Sequence, residues 1–91
     1  MGSRKLVVSG AVQNVGFRDW AVRIAREWNL TGWVRYVNDG RVEILAQGDD
    51  NAIDAFADDC RTGPPRARVS DVQIETVPPV SAKGFTKRLT G

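Results

Sequence analysis

The chain has 91 residues, 42% hydrophobic and 26% charged, which suits a soluble globular protein of one domain, residues 1–91, and excludes a disordered one. It has no histidine and a single cysteine, Cys60, which rules out a Ser-His-Asp triad, His-ligated metals, an intrachain disulfide and a CxxC pair. The net charge of +2 is too small to argue for nucleic acid and leaves room for a small anionic ligand.

Residues 5–9 (KLVVS) are β-branched and read as a strand, and residues 10–16 (GAVQNVG), with glycine at both ends, read as a loop. Phe17, Ala21, Ile24 and Trp28 then recur at helical spacing, predicting one apolar stripe on a helix that Asn29 and Gly32 stop. Residues 33–37 (WVRYV) and 41–47 (RVEILAQ) read as two strands. Between them Asn38-Asp39-Gly40 signals a hairpin with a type I′ turn. Asp49, Asp50 and Asn51 can cap a second helix, whose apolar face carries Ile53, Phe56, Ala57 and Cys60 and which Gly63-Pro64-Pro65 ends. Residues 69–77 form a long strand that Pro78-Pro79 breaks, and residues 84–90, with Phe85 and Leu89, form a weaker last one.

The order β-α-β-β-α-β plus a short strand predicts an α+β, ferredoxin-like split βαβ sandwich: one antiparallel sheet with both helices on one face. No apolar run nears the ~18 residues of a membrane span. The start lacks a signal-peptide apolar region and the cysteine is unpaired, so a cytoplasmic location with no membrane partner is expected. Nothing in the sequence demands a second chain, and a monomer is expected.

The chemistry is concentrated in residues 8–18, VSGAVQNVGFR. A strand gives way to a glycine-bearing loop and then to a helix, with an arginine at the helix start. Orphan N–H groups of such a loop and of a first helical turn converge on one spot, and an adjacent guanidinium adds a planar fork for phosphoryl oxygens. The bare pattern also fits a βα loop with a surface arginine.

This segment resembles the acylphosphatase signature, aliphatic-x-G-x-V-Q-G-V-x-F-R, with Gly10, Val12, Gln13, Val15, Phe17 and Arg18 in register. A second family signature, G-W-V-(basic)-N, three residues, G-x-V, five residues, G, is matched by Gly32, Trp33, Val34, Arg35, Gly40, Val42 and Gly48. The resemblance covers nearly the whole chain. It implies hydrolysis of the carboxyl–phosphate anhydride of acyl phosphates by direct water attack, without metal or other cofactor, with inorganic phosphate as product or inhibitor. Arg18 and the amides of the loop Gln13, Asn14, Val15, Gly16 and Phe17 would grip the phosphoryl group.

Two positions depart from the family. Asn14 replaces a loop glycine; its side chain either tolerates the left-handed backbone there or reaches into the phosphate cradle. Tyr36 replaces the asparagine that orients the attacking water in the family. Losing one such group costs about 10²–10³ in rate by analogy with oxyanion-hole deletions. Asn38, two residues further on the same strand face, is a candidate substitute and also a turn former. The alternative function is therefore an impaired, phosphate-binding relative. An RNA-binding module of the same topology is disfavoured because residues 5–9 and 41–47 carry no aromatic side chain on which bases stack. Trp28 is expected in the core, Trp33 beside the site and Cys60 as a buried inert thiol.

Overall fold

Leu6, Val8, Val34, Val42, Ile44 and Ala46 are fully buried, and strand pairing puts them on one face of a single five-stranded sheet. The structure, a computed structural model, describes residues 1–88. Its elements are β1 (Gly2–Ala11), α1 (Phe17–Glu27), β2 (Thr31–Tyr36), β3 (Val42–Gly48), α2 (Asp50–Thr62), β4 (Arg68–Thr76) and β5 (Phe85–Lys87). The sheet order is β4-β1-β3-β2-β5, and both helices cover its apolar face. Among the described residues no helix is long and apolar enough to cross a membrane.

The sheet is mixed rather than wholly antiparallel: β5 runs parallel to β2, with Gly32 opposite Phe85 and Val34 opposite Lys87. The reason is where β4 ends. Its last residues pair with Arg4 near the start of β1, and the segment after it stays at that end of the sheet, where Val77 N–H donates to Ser3 O and Gln47 grips Val80. A strand entered from that end on the far side of β2 can only run alongside β2. The last two residues of the expected final strand, Leu89 and Thr90, lie outside the described residues.

Helix α1 buries Phe17, Ala21 and Ala25. Ile24 is half-buried, and Trp28 is 41% exposed rather than in the core. The helix ends at Glu27, Trp28 is its C-cap and Asn29 turns to φ 58°, so the indole leaves the buried stripe. Its Nε1–H donates instead to Asp59 Oδ2 of α2, at 3.0 Å. Helix α2 buries Ile53, Phe56, Ala57 and Cys60, as its spacing predicts. Asp49 caps it, its carboxylate accepting from Ala52 N–H at 3.2 Å. Phe56 meets Phe85 edge to face, tying α2 to β5 through the core.

Among the described residues no helix lies on the opposite face of the sheet, and charge covers it. Glu75, Lys5, Glu43 and Arg35 form a ladder across β4, β1, β3 and β2, closest between Arg35 and Glu43 at 2.6 Å. Trp33 lies between the Arg35 and Arg88 guanidiniums, 5.1 and 4.9 Å from its ring centre. The long side chains shield apolar surface while their charges stay wet.

Candidate active site

The site sits at the end of the sheet where β1 and β2 finish. The pairing of β1 with β4 slips at Ser9/Gly10, a bulge that releases the chain into the loop. Gly10 holds φ +123°, and a Cβ there would lie 2.3 Å from Arg68 O, so only glycine fits that approach. Two further left-handed residues follow, Asn14 at φ 59° and Gly16 at φ 74°. Such reversals turn successive N–H groups toward a concave side that suits an anion. Asn14 thus holds a left-handed backbone, and it also lines the pocket described below.

Gly16 is the N-cap of α1, and among the described residues no side chain caps that helix end. Its first-turn N–H groups are left for a ligand or water. Phe17 is fully buried and anchors the helix start, edge-on to Trp20. Arg18, next in the turn, is half-buried. Its guanidinium stacks 4.8 Å from the centre of the Tyr36 ring, and its Nη1–H donates to Arg88 O at 3.1 Å. The Tyr36 hydroxyl donates to Val12 O at 2.8 Å.

Asn14, Gly16, Phe17, Arg18 and Tyr36 line one pocket of about 120 Å³, with Asp19 and Lys87 on its rim. Drug-sized ligands occupy ~300–1,000 Å³, so this pocket takes only a small head group. The rim carboxylate of Asp19 is paired with Lys87 Nζ at 2.8 Å, and that hydrogen bond and charge hold its pKa below the ordinary aspartate value. Asp19 is the one acid among the described residues that line the pocket, and the pairing offsets its charge.

Not every residue singled out in the sequence joins this pocket. Gln13 points to a neighbouring groove and lies against Gly40, where a Cβ would come within 2.8 Å of its Nε2. Val15 packs on the core. Asn38 is exposed in the hairpin turn. That turn is not type I′. Gly40 carries the positive φ, at 91°, while Asn38 and Asp39 do not. Gly40 N–H donates to Val37 O and Val37 N–H to Arg41 O, which is a type I turn closed by a left-handed glycine. Asp39 accepts from both the backbone N–H and Nε of Arg41, which fixes this geometry. Asp19, Lys87 and the Arg88 carbonyl were not foreseen. The two residues from the chain's far end reach the site only through the parallel pairing of β5. Among the described residues no three His, Cys, Asp or Glu side chains gather as a metal site.

Comparison with known proteins gives a consistent result. The sequence model of the family described as Acylphosphatase matches residues 4–87. A protein named acylphosphatase from Acidiphilium cryptum is 46% identical over 91 residues, covering all of both chains. The crystal structure of acylphosphatase from Bacillus subtilis superposes with a TM-score of 0.92 at 35% identity, covering 97% of this chain and 99% of that one. The structure of an acylphosphatase from Coxiella burnetii gives a TM-score of 0.92 at 36% identity, covering 96% and 92%. With a family match over nearly its whole length and relatives this similar from end to end, the chain belongs to the acylphosphatase family.

Proposed function

We propose that this chain, working as a single acylphosphatase domain over residues 1–91 and as a monomer, hydrolyses acyl phosphates to a carboxylate and inorganic phosphate. The observation that carries this reading is the meeting of Arg18, the uncapped start of α1 and the left-handed loop at one small pocket. The small volume supports a substrate whose phosphoryl group is enclosed while its acyl part lies outside.

Acyl phosphates carry a good leaving group, so catalysis reduces largely to holding the equatorial oxygens and placing a water in line. Arg18 and the amides from Asn14 to Arg18 do the holding. The water oxygen bonds to phosphorus as the phosphorus–oxygen bond to the acyl group breaks, the electron pair leaves on the carboxylate, and one proton passes to solvent. Fixed amides and a guanidinium stabilise the charge that builds on the transferring group without reorganising. The end-to-end likeness to proteins named acylphosphatase favours turnover over a binding-only role.

The test is hydrolysis of a synthetic aryl acyl phosphate by the wild type and by Arg18→Ala. Loss of one preorganised group of this kind lowers kcat/KM by about 10³. Inorganic phosphate should raise the Tm of the wild type and leave that of Arg18→Ala unchanged. A wild type that neither turns over the substrate nor gains stability from phosphate would overturn the reading.

A further inference from the structure

We infer that Tyr36 is a positioning residue, one that holds Arg18 and the phosphate loop in their binding geometry and does not orient the attacking water. The inference rests on the functional reading above and adds a role to a residue that departs from the family pattern.

Two contacts carry it. The Tyr36 ring is the platform under the Arg18 guanidinium, at 4.8 Å. Its hydroxyl donates to Val12 O at 2.8 Å, at the point where the chain leaves β1 for the loop. One side chain therefore touches both parts of the phosphate grip. Tyr36 is itself well fixed: it is the last residue of β2, paired with Val42 of β3 and packed against the core. An asparagine at this position has neither a ring to stack on the guanidinium nor the length of a phenol. The hydroxyl proton is committed to the carbonyl, so the hydroxyl cannot donate to a substrate oxygen and can meet a water only as an acceptor.

The Arg18 guanidinium is held from a second direction by Arg88 O, at 3.1 Å. With the ring on its face and a carbonyl at one edge, its remaining N–H groups are restricted to a narrow set of directions. A planar fork fixed in this way gains more per phosphoryl contact than a free one, because less rotamer freedom is lost on binding. The role so defined concerns binding in the ground state as well as the transition state, and such a role shows in KM and in phosphate affinity before kcat.

The experiment measures kcat and KM for an aryl acyl phosphate, and the inhibition constant of inorganic phosphate, in wild type, Tyr36→Phe, Tyr36→Leu and Tyr36→Asn. Tyr36→Phe keeps the ring and loses the clamp, so phosphate binding should weaken about 5-fold. Tyr36→Leu loses both contacts, and the weakening should reach about 20-fold. Tyr36→Asn should resemble Tyr36→Leu although it restores the family residue. In all three, KM should rise with the inhibition constant and kcat should change less than either. Tyr36→Phe, the mildest change, keeps the test open if a larger one fails to fold. A fall in kcat with phosphate inhibition unchanged would assign Tyr36 to the water and overturn the inference, as would a gain in kcat from Tyr36→Asn at unchanged phosphate affinity. Either result leaves the acylphosphatase reading standing, since that one depends on Arg18 in the wild type.

Discussion

Asn14 gives the sharpest test of whether the loop works through its backbone or through its side chain. The residue holds φ 59° and lines the pocket. Left-handed backbone costs an ordinary L-residue ~1–2 kcal/mol, a penalty glycine escapes and asparagine partly relieves. Asn14→Ala should therefore lose the part of that penalty which asparagine relieves, about 1 kcal/mol, which at 1.36 kcal/mol per decade is a roughly 5-fold fall in kcat/KM. Asn14→Gly, with no Cβ to strain, should stay within about 3-fold of the wild type. Steady-state hydrolysis of an aryl acyl phosphate reads both, with phosphate inhibition as a second measure of the same loop. If glycine and alanine lose activity equally, the amide itself takes part in the chemistry and the conformational argument is refuted.

Two further outcomes follow from the charges and the core. The Asp19–Lys87 pair depresses the folded-state pKa of Asp19, so its contribution is fully present above the ordinary aspartate value of 3.8 and is lost as pH falls through the lower folded value. Asp19→Asn should leave Tm almost unchanged at pH 7 and flatten the loss of Tm below about pH 4, because an exposed pair contributes little at neutral pH; an acid limb identical to that of the wild type would refute this. Cys60 is fully buried on α2, and desolvation, aided by the nearby Asp59 charge, pushes its thiol pKa up. It should resist a thiol-reactive disulfide reagent at pH 8 in the native protein and react at once in denaturant, and stoichiometric labelling of the folded chain within minutes would contradict its burial.

The elements were legible where the pattern was local. The alternation of Val42, Ile44 and Ala46, the spacing of Ile53, Phe56, Ala57 and Cys60 and the Asp49 cap all depend on neighbours a few residues away. The errors have longer-range causes. Nothing near Trp28 says that the helix stops one residue before it, or that Asp59, thirty-one positions on, accepts its N–H. The parallel direction of β5 depends on which end of the sheet β4 leaves from. The turn at Gly40 is a three-residue loop in which Asp39 also binds Arg41, and the Asn-Asp-Gly string does not by itself separate it from a two-residue type I′ turn.

In the site the same division holds. Arg18 and its loop could be read from eleven consecutive residues, because the donors of a helix start and its preceding loop are close in the chain. The contacts that orient the guanidinium could not: Tyr36 is eighteen residues away and the Arg88 carbonyl seventy. Tyr36 stood out in the sequence as a missing asparagine. Its ring and hydroxyl contacts emerge only once β2 is placed beside the loop.

The segment between β4 and β5 has a mechanical consequence. Its eight residues, 77–84, carry the chain from one edge of the sheet to the other. That distance is four strand spacings, about 19 Å, against a taut reach of ~30–32 Å for the nine Cα steps from Thr76 to Phe85. Gln47 fastens the tether midway by accepting from Val80 N–H and donating to Val80 O. Shortened by four residues, it would keep five steps, span at most ~18 Å and fall short. The last strand would then peel away, and the carbonyl that steadies Arg18 at the far end of the sheet would go with it.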